Sequence, residues 1–497
     1  MSFALPVVLP LAISLAWLVP ALWPSRNLSA HWCAAEVVAL SGGLLVIPLL
    51  FTPTPMPWFA AAELMQALIQ VLAWLVLRYA HRYMRGEPGQ ARFLRAMGCL
   101  LAAVTVVVQA DHLVLMALAW IACSLALQTL LSFYPTRLAA QRAARREWRA
   151  SRFAELLLLA ALLLWSHAGG SFSLQPSLHP SLLRHQEAVA AGLLLAAAVA
   201  IKTAQLPFHG WLIQVMEAPT PISALLHAGV VNLGGMVLIK AAVLLQASPA
   251  ARILLIMWGG SSALLCCVVM LTRISIKLHL AWSTSAQMGF MLLEIGMGYD
   301  ALALLHLLAH SFYKAHAFLL AGETVRHSAT RQLLGAAVPG PLFIQLARGL
   351  LAALLLASVQ GLCSYVGGGA GLAPLCCLAI GLGLGVQLGS WRGVLVVLAL
   401  SLSYGCLHRL ASMILPQSLP VPADGVQVLL ASMFLAVFVL QTWLLGKPQG
   451  RLARRLYAHA YAGFHLDEVW TLLSRYSLGH RTCRRLPVLQ LQESHHD

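Results

Sequence analysis

The chain has 497 residues, 60% hydrophobic and only 10% charged, with a strongly positive mean hydropathy and a formal net charge of +16. That balance excludes an ordinary soluble enzyme and indicates an all-α, polytopic membrane protein. The positive charge is not a nucleic-acid footprint, because the arginines gather in alternate loops between apolar runs, as membrane topology requires.

Apolar stretches of about 18 or more residues, enough to cross about 30 Å of hydrocarbon as helix, recur from the N-terminus to Leu445, giving roughly 15 predicted spans. No Lys or Arg precedes the first of them, whose first basic residue is Arg26, so it reads as a span and not as a secretory signal. Basic loops follow at 78–95 ("RYAHRYMRGEPGQARFLR"), at 137–152 ("RLAAQRAARREWRASR"), at Arg273 with Lys277, at Arg326 with Arg331, at Arg392 and in the tail from Lys447. The loops between them carry only Arg184, Arg252 and Arg409. The positive-inside rule therefore predicts an external N-terminus and a cytoplasmic C-terminus. The ten cysteines are single or adjacent, without zinc-site spacing. Together with the absence of a phosphate loop, a nucleophile elbow or an H-E-x-x-H motif, they argue against substrate chemistry by this chain alone.

Charges within the spans are the informative residues, since a lysine at the bilayer centre costs about 2.5 to 3.5 kcal/mol and usually faces a bundle interior or an aqueous path. In "KTAQLPFHGWLIQVMEAPTPISALLHAG", Lys202 follows an apolar run and precedes Pro207, which breaks a helix by removing a backbone donor. A broken span at membrane depth lines a cavity or is buried in protein. Pro219 and Pro221 mark a second break, and His227 lies in the span beyond it. It reads either as a bridge from Lys202 to other titratable groups or as a cross-helix hydrogen bond. Lys240, further along that span, reads either as a lysine snorkelling to the far surface or as the exit of a relay. His306, His310 and Lys314, spaced i, i+4, i+8, fall near one helix face. Such a stripe suits a proton relay, because imidazole titrates near neutral pH. Buried cations call for carboxylates. Among Asp111, Glu155, Glu217 and Glu294, the sequence favours Glu155 as the partner of Lys202.

That segment, with "KLHLAWSTSAQMGFM" and "HLLAHSFYKAHAFLLAGE", closely resembles the antiporter-like proton-channel subunits of respiratory complex I and of multisubunit cation/proton antiporters, over 111–323. The resemblance implies two inverted five-helix repeats with broken helices, and a mid-membrane chain of protonatable groups matching Lys202, His227, His306, His310 and Lys314. N-terminal helices would occupy 1–110, the first repeat core 111–250, the second repeat and remaining spans 251–446, and a basic cytoplasmic tail 447–497. An interruption at "GLCSYVGGGAGLAP" fits an inverted-repeat transporter. Two departures stand out. Ile121 occupies the position of the family's W-E-G glutamate, and the second broken helix has no lysine, only Arg348 near its entrance.

These losses and the tail "RLYAHAYAGFHLDEVW" resemble a narrower branch, the DabB membrane subunits of DAB inorganic-carbon accumulation complexes. That likeness implies a bacterial inner-membrane subunit whose cation flow energises CO2 hydration to bicarbonate by a soluble, cytoplasmic DabA partner. The zinc would sit in that partner and no cofactor in this chain. The alternatives are a proton-translocating subunit of a complex I or multisubunit antiporter assembly, and a proton-inert scaffold that retains ancestral charges. In the tail, Phe464, Leu466 and Trp470 read either as part of an amphipathic partner-binding segment or as a helix on the membrane surface.

Overall fold

The computed structural model describes residues 5–22, 27–49, 57–174, 186–323, 342–367, 391–415, 424–446 and 450–467. Among them the chain is helical, with a single isolated extended bridge between His112 and Ser173. Among the described residues, eight helices are long and apolar enough to cross a membrane by length and composition.

Four N-terminal helices, α1 (Leu5–Leu22), α2 (Leu28–Leu49), α3 (Pro57–Tyr83) and α4 (Gln90–Gln109), pack as a bundle against α5 (Leu113–Leu131). Helix α6 (Leu138–Gly169) is 32 residues long. Its first half carries the arginine run and its second half the apolar span. It lies along α7 (Gln186–Lys202).

The expected break near Pro207 is present. Helix α7 ends at Lys202, Ala204 adopts a left-handed conformation (φ 55°), and the chain re-enters helix as α8 (Gly210–Gln214) and a 3-10 turn, Val215–Glu217. Pro219 caps α9 (Thr220–Ala228) and Pro221 occupies its first turn, where the missing N–H costs nothing. The structure adds two interruptions the sequence did not announce. A 3-10 turn at Val230–Asn232 separates α9 from α10 (Leu233–Lys240), and Ala241 separates α10 from α11 (Ala242–Ala247). Every residue from 220 to 240 is buried. This broken rod is the centre of the molecule.

Around it stand α12 (Pro249–Met270), α13 (Ile276–Gly296) and α14 (Asp300–Leu319). Helices α12 and α13 meet glycine to glycine: a Cβ on Gly259 would lie 2.5 Å from the Gly289 carbonyl oxygen, and one on Gly289 would lie 2.6 Å from that of Gly259. Small residues let membrane helices approach this closely, since packing and not hydrophobic expulsion drives their association. Helices α15 (Leu342–Gly367), α16 (Trp391–Ile414), α17 (Asp424–Gly446) and α18 (Arg451–Tyr461) complete the described chain. Beyond Gly367, the interruption expected at 361–374 lies outside the described residues, and so does Trp470.

Candidate ion-relay site

The ammonium of Lys202 is brought to the break by the last turn of α7 and is 7% exposed. Its Nζ donates to Ser151 Oγ (2.6 Å) and Ser124 Oγ (2.8 Å) and reaches Glu147 Oε1 at 3.4 Å. Ser151 donates a short hydrogen bond to the same Glu147 oxygen. The expected partner, Glu155, is instead engaged by Arg152, whose Nη2 lies 2.9 Å and 2.8 Å from its two oxygens. Lys202 lies level with the turns of α6 that carry residues 147 and 151, and Arg152 is the nearer cation to Glu155. Glu155 stays in the same electrostatic neighbourhood, within range of Ser124 and Lys202. Glu147 was hidden in the arginine run. The signal that could have found it is the spacing of Glu147, Ser151 and Glu155, i, i+4, i+8, which puts all three on one face of α6.

From Lys202 a file of buried polar groups leads toward α13. Gln205 Nε2 donates to Thr203 O (2.9 Å) and reaches Ser285 O (3.5 Å). Gln205 Oε1, Ser223 Oγ and Ser285 Oγ are buried without a hydrogen-bond partner. One residue along α13, Thr284 Oγ1 donates to Leu280 O (3.0 Å) and lies 3.0 Å from His227 Nδ1. The single hydroxyl proton is thereby used, so Nδ1 is assigned as the protonated nitrogen of His227 and Nε2 as an acceptor. His227 Nε2 has no partner, and the ring stacks on Phe318 with centroids 4.5 Å apart.

Lys314, fully buried on α14, donates to the same Leu280 carbonyl (2.8 Å). Leu280 O thus ties Lys314 to Thr284 and, through it, to His227. The expected stripe is present on α14: His310 is buried with neither ring nitrogen bonded, and its ring lies 6.2 Å from that of His306. His306 in turn sets Nδ1 2.9 Å from Glu294 Oε2 and Nε2 2.8 Å from Gln287 Oε1. Beside the stripe, Asn232, in the break before α10, donates to Ser311 Oγ (2.6 Å). The hydroxyls and amides of this file went unread because Ser, Thr, Asn and Gln mid-span carry no charge to mark them.

Lys240 belongs elsewhere. It is 1% exposed and does not snorkel. Its Nζ donates to the carbonyls of Val107 (3.2 Å), Val108 (3.0 Å) and Ala110 (2.7 Å) and lies 4.9 Å from the centre of the Trp58 ring. These carbonyls are the orphan acceptors at the C-terminal end of α4, where a cation also meets the negative end of the helix dipole. This is a cap, and no hydrogen bond among the described residues joins it to the histidines.

Phe464 and Leu466 belong to the tail segment read either as partner-binding or as a helix on the membrane surface. They pack within the chain, against the cluster formed by Leu206, Cys266, Val269, Trp282 and Ala286. Gly463, Phe464 and His465 have φ of 64°, 53° and 58°, three left-handed residues in succession. This tight turn delivers Asp467 to Arg146, whose Nη1 donates to both carboxylate oxygens (2.8 and 2.6 Å). The carboxylate takes the space beside Gly210, where a Cβ would stand 1.9 Å from Asp467 Oδ1. Arg146 immediately precedes Glu147, so the tail's anchor and the partner of Lys202 are consecutive residues of α6.

Comparison with known proteins places this geometry. Residues 110–338 match the model of the NADH:quinone oxidoreductase/Mrp antiporter transmembrane family. The chain is 43% identical over 281 residues to the probable inorganic carbon transporter subunit DabB of Hydrogenovibrio crunogenus, covering 55% of this chain and 54% of that protein. It is 44% identical over 268 residues to subunit DabB2 of Halothiobacillus neapolitanus, covering 52% and 48%. The chain therefore spans about half the length of the curated relatives it matches. Among solved structures, the Mrp complex from Dietzia sp. DQ12-45-1b aligns with a TM-score of 0.60 at 22% identity, over 95% of this chain and 57% of that one, a likeness of fold alone. Residues 110–338, which hold every member of the lysine–histidine file, match the NADH:quinone oxidoreductase/Mrp antiporter membrane family, and the chain is similar to the DabB subunits.

Proposed function

We propose that this chain is the ion-conducting membrane subunit of an inorganic-carbon accumulation assembly, and that protons pass along Lys202, Gln205, His227, Lys314, His310 and His306. The observation that carries the reading is the setting of Lys202: an ammonium at a helix break, held by one carboxylate and two hydroxyls and followed by polar atoms that lack protein partners. Buried polar groups are almost always satisfied by protein or ordered water. Water bridging Gln205 Oε1, Ser223, Ser285 and His227 Nε2 would complete a transfer path, such waters being typical of polar interior sites. Glu147 at one end and Glu294 at the other would hold the compensating negative charge.

The partner this reading calls for is a soluble, zinc-bearing DabA-like protein, inferred from the names of the similar subunits, and the zinc would supply an activated water for CO2 hydration there. The membrane is then a bacterial inner membrane with the basic loops and C-terminus on the cytoplasmic side. One charge crossing 100 mV releases about 2.3 kcal/mol, enough to bias hydration over its reversal. A second reading, a subunit of a multisubunit cation/proton antiporter, is favoured by the fold likeness to the Mrp complex over 95% of this chain.

Affinity purification of the tagged chain from its native membrane separates them. Co-purification of a soluble protein with stoichiometric zinc, together with a growth requirement for elevated CO2 in Lys202→Ala cells, supports the first reading. Recovery of small membrane proteins only, with carbon-limited growth unchanged in Lys202→Ala cells that hold normal amounts of the protein, overturns it.

A further inference from the structure

Helix α6 has two faces with different surroundings. Glu147, Ser151 and Glu155 are buried, and their partners are Lys202 and Arg152. The opposite face is an exposed stripe of Arg142, Arg145 and Arg149, followed by Phe153, Leu156 and Leu163. At 3.6 residues per turn these positions fall within about a quarter of the helix circumference. The stripe changes character once. Arg149 and Phe153 are about 6 Å apart along the axis, and within that turn the surface passes from guanidinium to hydrocarbon. Trp148, also exposed, flanks the change. Tryptophan gathers at the headgroup level of a bilayer, with basic residues on the cytoplasmic side of it, so this turn marks a membrane boundary.

The arginines of the stripe have no counter-charge within the described chain. No ion pair among the described residues includes Arg142, Arg145 or Arg149. Arg145 Nε donates to Gln141 O (3.3 Å), a carbonyl of its own helix, which leaves the charge uncompensated. Arg149 lies within electrostatic range of both Arg145 and Arg146, so like charges are held together here. The nearby carboxylates are committed: Asp467 to Arg146, Glu155 to Arg152 and Glu147 to Lys202. The balancing charge has to come from outside. Guanidinium forks onto phosphate oxygens, and residues 145 and 149, four apart, have Cβ atoms about 5–6 Å from each other. Both side chains reach one phosphate placed between them.

We propose that this stripe binds one anionic phospholipid, its phosphate held between Arg145 and Arg149, its glycerol region against Trp148 and its acyl chains along Phe153, Leu156 and Leu163. Basic clusters at the end of a membrane span attract anionic headgroups. An acidic protein surface would match the arginines equally well, but it does not account for their running without a gap into an apolar face on the same helix. A headgroup followed by its own hydrocarbon matches both halves. The site lies on the outer face of α6, apart from the lysine–histidine file, and is independent of what that file drives.

The test uses the full-length chain in phosphatidylcholine nanodiscs that contain increasing fractions of a lipid brominated in the upper acyl chain, either phosphatidylglycerol or phosphatidylcholine. Bromine quenches tryptophan on contact, and the share of Trp148 is the difference between wild type and Trp148→Phe. Quenching of Trp148 should reach half its maximum at an at least about fivefold lower mole fraction of phosphatidylglycerol than of phosphatidylcholine, the factor that one arginine contributes at an anionic surface. Arg145→Gln combined with Arg149→Gln should remove the preference, and Arg82→Gln, an exposed arginine on α3, should keep it. Millimolar glycerol 3-phosphate, which carries the phosphate without acyl chains, should not displace the lipid. Equal quenching by the two lipids in the wild type overturns the proposal, and if the double variant then also loses an acidic protein on affinity purification, the face is a protein dock. A preference lost equally in Arg82→Gln overturns it in favour of diffuse attraction, and displacement by glycerol 3-phosphate overturns it in favour of a free anion.

Discussion

Lys202 and Lys240 are both buried ammonium groups, and what surrounds each separates their roles. Lys240 is held by three backbone carbonyls, which cannot release or receive a proton. Lys202 is held by Glu147, Ser124 and Ser151, all of which can exchange protons or reorient. Burial cost flags both lysines in the sequence but cannot distinguish them, because the discriminating atoms come from α4, α5 and α6. Removing one member of a buried ion pair leaves the other uncompensated and costs about 3–5 kcal/mol. Glu147→Gln should therefore favour loss of the Lys202 charge and slow proton flux in reconstituted vesicles at least about tenfold, the equivalent of one charge-assisted hydrogen bond. Glu155→Gln removes a carboxylate paired directly with Arg152, whose side chain is 30% accessible and can turn to water while Lys202 keeps Glu147, and flux should stay within about threefold, a loss of less than about 1 kcal/mol. If Glu155→Gln is the slower variant, Glu155 and not Glu147 governs the lysine.

At the scale of elements, α13 gathers the site: Leu280 O and Thr284 meet Lys314 and His227, the Ser285 carbonyl meets Gln205, and Gln287 and Glu294 meet His306. Its placement depends on the close crossing with α12 at Gly289. Gly289→Ala gains up to about 1 kcal/mol of helix propensity. Against this, the new methyl meets the Gly259 carbonyl at 2.6 Å, a backbone atom that moves only if a whole helix moves. Overpacking of this kind costs about 1–3 kcal/mol and should win. The apparent unfolding midpoint should fall, and flux should fall further than after an exposed Gly322→Ala control, where a Cβ meets nothing within 4 Å. Unchanged melting would mean that the crossing tolerates expansion. The histidine stripe and the Pro207 break were legible because period and proline act locally. The 3-10 turn before α10 and the uncharged links of the file were not, since hydroxyls and amides gain meaning only once helices distant in sequence are packed.

Across the whole molecule, the C-terminal strap returns to the break that follows Lys202. Helix α18 carries Tyr461, whose ring lies 5.4 Å from the Arg273 guanidinium, itself 5.1 Å from the Trp282 ring. Phe464 and Leu466 then cover Leu206, and Asp467 takes Arg146. Any force on the strap is thus transmitted to the residue next to Glu147. The Arg146–Asp467 pair is partly exposed, with side chains 24% and 38% accessible, so its worth is only about 0–1 kcal/mol. Two consecutive left-handed residues after Gly463, Phe464 and His465, oppose docking, since non-glycine residues pay for that conformation. A small attraction offset by local strain leaves the strap easy to detach. Asp467→Asn should therefore leave the global melting midpoint within error of wild type while limited proteolysis within 451–467 accelerates, because cleavage follows the population of the locally open form. Gly210→Ala, which invades the carboxylate's seat while leaving Arg146 and Asp467 in place, should expose the same segment. If both variants resist protease as the wild type does, apolar packing of Phe464 and Leu466 alone holds the strap, and the charge pair beside Glu147 does not control its docking.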